Sequence, residues 1–155
     1  MIRPATPSDI SSIAAIWNPI IRNTTVTFNT VEMTHEVIQK LIDTRPVLVF
    51  VSGEIAGFAT YGPFRAGIGY RFVAEHTIMM SPDARGQGGG RTLMSALEKT
   101  ARSNQIHSFW AGVSAENEGG VDFHKAIGYT EQARLPEVGH KFGRYLDLVL
   151  MQKRL

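Results

Sequence analysis

The stretch that decides the fold runs from His76 to Arg102, HTIMMSPDARGQGGGRTLMSALEKTAR. Its opening residues, up to Met80, mix β-branched and other apolar side chains and read as a strand. Ser81-Pro82-Asp83 marks a turn, and Arg85-Gly86-Gln87-Gly88-Gly89-Gly90-Arg91 is a glycine-rich loop. Beyond it, Leu93, Met94, Leu97 and Ala101 recur at helical spacing. Strand, glycine loop and helix in that order leave free backbone N–H groups at the helix start. Glycine lets a ligand approach that backbone closely, and the helix dipole favours an anion there. The segment therefore predicts a cradle for a phosphate or pyrophosphate.

Working outward, Ile2 to Ala5 reads as a short first strand. Thr6-Pro7-Ser8-Asp9 is a helix-start signal, followed by Ile10, Ile13, Ala14 and Trp17 at helical spacing. Asn18-Pro19 is expected to bend or interrupt that helix. Asn23 to Thr30 is threonine-rich and reads as loop or extended chain. Thr34 is placed to cap a second helix with Val37, Ile38, Leu41 and Ile42 on one face. Val47 to Val51 and Ile55 to Tyr61 form a hairpin around Ser52-Gly53. Gly62 to Gly69 is a loop, and Tyr70 to Met80 is the strand that enters the glycine loop. Phe109 to Val113 is a further strand, and Glu116 to Ile127 a short helix closed by Gly128. Tyr129 to Leu135 and Tyr145 to Met151 read as two last strands, joined by a loop containing proline and glycine. Hairpins combined with a strand–helix–strand unit predict an α+β domain around one sheet, spanning residues 1–155.

Composition narrows the function classes. The chain is 43% hydrophobic and 19% charged, an ordinary globular balance. Its formal charge is only +2 although the pI is about 9.1, and its basic residues are scattered. Nucleic acid is therefore not an expected partner. The absence of cysteine excludes a disulfide framework, a cysteine nucleophile and thiolate metal sites, and fits a cytoplasmic location. No apolar run nears the ~18 residues of a membrane span, and no signal peptide is seen, so no membrane partner is expected.

The loop chemistry narrows them further. A P-loop needs Lys-Ser or Lys-Thr after its last glycine, where Arg91-Thr92 stands. A dinucleotide fingerprint would keep Gly86 and Gly88 but needs glycine in place of Arg91. Arg85-x-x-Gly88-x-Gly90, after a strand and opening a helix, resembles the acetyl-CoA loop of the GCN5-related N-acetyltransferases, the GNAT superfamily. Asn117 to Tyr129, NEGGVDFHKAIGY, is similar to that superfamily's second signature, in which Asn opens a helix and a Gly-aromatic pair closes it. His124 stands seven residues after Asn117, where the superfamily often has Tyr. About two helical turns separate them, so they share a face. Tyr61 to His76, YGPFRAGIGYRFVAEH, resembles the phosphinothricin and methionine sulfoximine acetyltransferase branch. Val138 to Asp147 resembles it too, as do Trp17-Asn18 and Thr27-Phe28.

The resemblance implies a GNAT fold: a central mixed, mostly antiparallel twisted sheet of about seven strands flanked by about four helices. It implies acetyl-CoA as co-substrate, no metal, and transfer of an acetyl group to the α-amine of a small amino-acid-like acceptor by direct attack in a ternary complex. A homodimer is the habit of the branch. Glu75 is implied as the base that takes a proton from the amine, and His124 as the group that orients a water, relays a proton or protonates the leaving thiolate. Acetyl-CoA is implied to meet Arg85, Gly86, Gln87, Gly88, Gly89, Gly90, Arg91 and Asn117. An N–H near Ile78 or Met79 serves the oxyanion, and a splay between Thr77–Met80 and Ser108–Val113 admits the pantetheine arm alongside Ile78, Met79 and Met80. Phe28, Arg65 and Tyr70 are implied to meet the acceptor. Read alone, each has a plainer alternative: a surface glutamate, a packed histidine, a solvated loop arginine, a core phenylalanine.

Two departures stand out. Gly67 replaces a second basic residue, which favours methionine sulfoximine or sulfone over phosphinothricin. Gly89 replaces an aliphatic residue in the acetyl-CoA loop, which removes a packing anchor and makes the loop costlier to order. The competing functions are a protein or peptide N-acetyltransferase, which would want an open groove, and a non-catalytic acyl-CoA-binding sensor, which would not need Glu75 and His124 together.

Overall fold

The computed structural model describes residues 1–155. Its strands are β1 (Ile2–Pro4), β2 (Val47–Ser52), β3 (Glu54–Pro63), β4 (Val73–Met80), β5 (Ser108–Ser114), β6 (Thr130–Lys141) and β7 (Arg144–Arg154). Its helices are α1 (Ile10–Asn23), α2 (His35–Thr44), α3 (Gly89–Ser103) and α4 (Glu118–Ala126). The strands form one sheet in the order β1-β2-β3-β4-β5-β7-β6. Every neighbouring pair is antiparallel except β4 and β5, the pair bridged by α3. The expected mixed, mostly antiparallel α+β sheet is the one observed. No helix is long and apolar enough to cross a membrane.

Each face of the sheet carries its own core. On one, α1 and α2 bury Ile13, Trp17, Ile21 and Ile38 against Val49, Phe58 and Met79. On the other, α3 and α4 bury Leu93, Met94, Leu97 and Val121 against Ala59, Ala74, Phe109 and Val149. Alternation along β4 divides its side chains between the two: Met79 goes to the first core, Ala74 and Ile78 to the second. Buried Asp9 fixes the chain at the start of α1. It takes two bonds from Arg3, at 2.7 and 2.9 Å, and one from the Thr6 N–H at 2.8 Å.

Three expectations are corrected. Pro19 does not interrupt α1, which runs unbroken to Asn23. Ile20 and Ile21 beyond it are buried, and the Asn18 amide bonds both the N–H and the carbonyl of Met33, so packing outweighs the lost backbone bond. The strand into the glycine loop starts at Val73, because Ile68–Tyr70 forms a 3-10 turn. The last two strands extend into a long hairpin closed by Phe142 and Gly143, both at positive φ, with irregular pairing between Leu135 and Gly139 around Pro136. The expected loop there is mostly strand.

Candidate active site

β4 and β5 pair only at Val73–Ser108, Ala74–Phe109 and Glu75–Trp110. Past Glu75, β4 keeps pairing with β3 as far as Met80, while β5 keeps pairing with β7 as far as Ser114. The two central strands therefore part, and a cavity of about 360 Å³ opens where they do. The splay that the resemblance implied is present, although Ser108 to Trp110 lie on its paired side.

Backbone direction in the splay follows from the ladder. The Phe64 N–H donates to Val73 O, and the Ser81 N–H donates to Ala56 O, so the odd-numbered residues of β4 turn their amides toward β3. The even-numbered ones, Ile78 and Met80, turn theirs toward β5, into the opening. Of the two oxyanion donors expected, the Ile78 N–H has this direction and the Met79 N–H does not. The side chains of Ile78 and Met79 line the cavity, whereas Met80 packs against the α3 core.

The cavity draws on both faces of the sheet. From the α1/α2 side come Trp17, Val26, Thr27, Phe28 and Glu75. Glu75 is accessible through the cavity, yet protein atoms surround it, and that burial raises its carboxyl above the ordinary value. Gly112 on β5 makes room for it: a Cβ there would lie 3.1 Å from Glu75 Oε1.

From the α3/α4 side come His76, Asn117 and His124. Asn117 caps α4 by accepting the Gly120 N–H at 3.0 Å, and His124 lies two turns on, so both line the cavity as the spacing required. His124 Nδ1 lies 2.7 Å from Gly120 O. A carbonyl only accepts, so Nδ1 carries the proton and Nε2 of the neutral ring keeps its lone pair. That Nε2 is buried without a partner. Burial, partly offset by the Gly120 carbonyl, lowers the pKa of His124. Its ring stacks on His76 at 5.1 Å. His76 is lowered well below the ordinary value by burial, then by the proximity of His124. The resting arrangement is two neutral imidazoles, with the Nε2 lone pair of His124 free to accept a hydrogen bond.

The glycine loop sits at the start of α3. Gly86 and Gly88 have φ of +75° and +80°, which glycine adopts without strain. Gln87 ties the loop back to Asp83 O at 2.7 Å, and Arg91 reaches Ala126 O at 3.2 Å. The Thr92 N–H is bonded to Gly88 O, so the N–H groups of Gly89, Gly90 and Arg91 precede the helical ladder. Arg85 is exposed beside them. These features fit an anionic pyrophosphate. Gly89 is buried, and a Cβ there would lie 2.6 Å from the Phe50 ring. Phe50 thus occupies the space that the sequence reading took to have lost its anchor.

A profile of the acetyltransferase (GNAT) domain matches residues 2–150. The chain belongs to the GNAT acetyltransferase family. An L-methionine sulfoximine/L-methionine sulfone acetyltransferase of Pseudomonas aeruginosa is 36% identical over 161 residues, covering 99% of this chain and 94% of that protein. A ribosomal-protein-alanine N-acetyltransferase from Brucella melitensis superposes with a TM-score of 0.95 at 38% identity, covering 100% of this chain and 99% of that one. A phosphinothricin acetyltransferase from Sinorhizobium meliloti, solved with acetyl-CoA, superposes at 0.93 and 28% identity, covering 100% and 88%. This GNAT chain is accordingly an N-acetyltransferase.

Arg65 and Tyr70 are not brought to the cavity. They lie exposed on the loop after β3, with the Arg65 guanidinium 5.7 Å from the centre of the Tyr70 ring. Gly67 between them has φ +112°, so its backbone favours glycine irrespective of the acceptor. Sequence reading did not single out His76, Ser114 or Leu148, all cavity residues. Alternation put His76 opposite Glu75, but only the parting of the strands brings both faces into one cavity.

Proposed function

We propose that this chain transfers acetyl from acetyl-CoA to the α-amine of a small amino-acid-like acceptor, acting as a single domain, in the cytoplasm and as a homodimer. The observation that carries the reading is the cavity that passes through the parted sheet. Glu75 stands on one face, and the anion-binding loop opens α3 on the other. In this reading the acceptor enters from the side of Trp17 and Phe28, and Glu75 takes a proton from its ammonium. The amine then attacks the thioester carbon, a C–N bond forms, the C–S bond breaks, and the second proton of the nitrogen passes to the leaving thiolate. The Ile78 N–H faces the developing oxyanion. His124, with Nε2 free to accept, orients water or relays the amine proton rather than serving as a pre-charged acid.

The names of the Pseudomonas and Sinorhizobium relatives support methionine sulfoximine, methionine sulfone or phosphinothricin as the acceptor type. We favour the first two, with Arg65 on the loop after β3 as the cation offered to an acceptor carboxylate. Exposed Ile68, Phe72, Phe142 and Tyr145 offer apolar surface for a second copy. A protein N-terminal acceptor is the second reading, favoured by the name of the Brucella structure. An assay of CoA release over amino acids, sulfoximines, sulfones, phosphinothricin and alanine-initiated peptides decides between them. The expected result is turnover on methionine sulfoximine and sulfone above phosphinothricin, with peptides inert. Peptide turnover above all amino acids would overturn the reading.

A further inference from the structure

We infer that selection of the acceptor side chain is set from the β6–β7 hairpin, through Gly139 and Lys141, which hold the Thr27–Phe28 wall of the cavity in place. The inference rests on the functional reading above. The wall belongs to the segment between α1 and α2, residues 24–34, which has no regular secondary structure. It nevertheless supplies Val26, Thr27, Phe28 and Asn29 to the cavity. A segment without its own hydrogen-bond ladder keeps a defined shape only if other elements anchor it. Its far end is held from α1, by Asn18 on Met33 and Arg22 on Glu32; Thr25, Thr27 and Phe28 are reached by three anchors at or beside the hairpin.

The first is a matter of room. A Cβ on Gly139 would lie 2.4 Å from Phe28 Cδ2 and 2.6 Å from Cε2. Gly139 is not at positive φ, so its backbone does not call for glycine; the aromatic ring does. The second is a buried cation. Lys141 follows two positions along β6 on the same face, is 2% exposed, and donates from Nζ to Thr27 O at 2.8 Å. It forms no ion pair. An ammonium buried without a carboxylate is costly, and the bond Lys141 does make is to the wall. The third ties the wall's other end. Thr25 donates to Glu116 Oε1 at 2.8 Å, and Glu116 takes two bonds, at 2.6 and 2.9 Å, from Arg144, the β7 residue paired with Lys141.

Gly139 and Lys141 do not line the cavity. They are positioning residues: they determine how far Phe28 stands from Trp17 and Leu148, and so how much apolar side chain the acceptor can present. On this inference the depth of the acceptor slot is set on the hairpin.

The test is Gly139→Ala. The added Cβ drives Phe28 toward the cavity. Acceptors of methionine size are expected to lose ~10-fold in kcat/KM relative to alanine-sized ones, while the Kd for acetyl-CoA is unchanged. Phe28→Leu in the same background restores the wild-type ranking. Lys141→Met is expected to raise KM for the acceptor with kcat retained, and carries the test if Gly139→Ala does not fold. A folded Gly139→Ala protein with wild-type acceptor ranking, or a changed ranking that Phe28→Leu leaves unrepaired, overturns the inference. A crystal structure of Gly139→Ala separates the two levels of the argument. Phe28 unmoved defeats the inference even if amino-acid turnover is confirmed. Phe28 displaced in an enzyme that acetylates no amino acid defeats the functional reading, and the claim about selection with it.

Discussion

Glu75 combines two requirements that oppose each other. A general base works best with a pKa close to the working pH, and a carboxylate starts well below it. Partial burial moves Glu75 in the needed direction, and Gly112 leaves its carboxylate room across the splay. The sign of the pH dependence follows. With Glu75 as the proposed base, the ionised form is the active one, so kcat/KM is expected to fall as pH drops through a pKa above the ordinary 4.5. Glu75→Gln is expected to lower kcat by ~10²–10⁴-fold, to remove that acid limb, and to leave acetyl-CoA affinity intact. Steady-state rates between pH 5 and 9, with calorimetric binding, check it. His124 contributes a second lesson at this scale. Its bond to Gly120 O fixes the tautomer, and a sequence carries no tautomers.

At the scale of elements, the glycine loop is where sequence and structure differ most usefully. Gly88 is needed for its backbone, while Gly89 is needed because Phe50 of β2 packs against it. Gly89→Ala is therefore expected to destabilise the start of α3 by about 1–3 kcal/mol through overpacking. Phe50→Leu in the same protein should recover most of the loss. Urea unfolding of the two variants and the double variant measures the coupling. The strand, the loop and α3 were legible because each has a local signature: a β-branched run, a glycine cluster, a helical period. Phe50 lies 39 positions before Gly89, and nothing local joins them. The same reason hid the Phe28–Gly139 and Thr27–Lys141 contacts. Pro19 misled because propensity is local and the burial of Ile20 and Ile21 is not. Glu75, His124 and Asn117 were legible through motifs of known spacing, and the cavity gathers all three. Arg65 and Tyr70 came from the same kind of resemblance, and the chain leaves them exposed on the loop after β3, outside the cavity lining.

For the molecule as a whole, the sheet is nearly two sheets. β1 to β4 and β5 to β7 each form continuous antiparallel ladders, and three residue pairs join them. A ligand lying in the opening would tie the halves together. Acetyl-CoA at ~100 times its Kd is expected to stabilise the fold by ~2.7 kcal/mol, a rise in Tm of about 5–11 °C for a domain of this size. Gly88→Val, strained at φ +80° and crowding the approach of a phosphate, should abolish most of that rise. A scan with and without acetyl-CoA on both proteins tests it. The parting of β4 from β5 also has a consequence for durability. With only three residue pairs across it, the junction between the halves is where local opening should cost least, so limited proteolysis is expected to cut beside it first and acetyl-CoA to slow that cut.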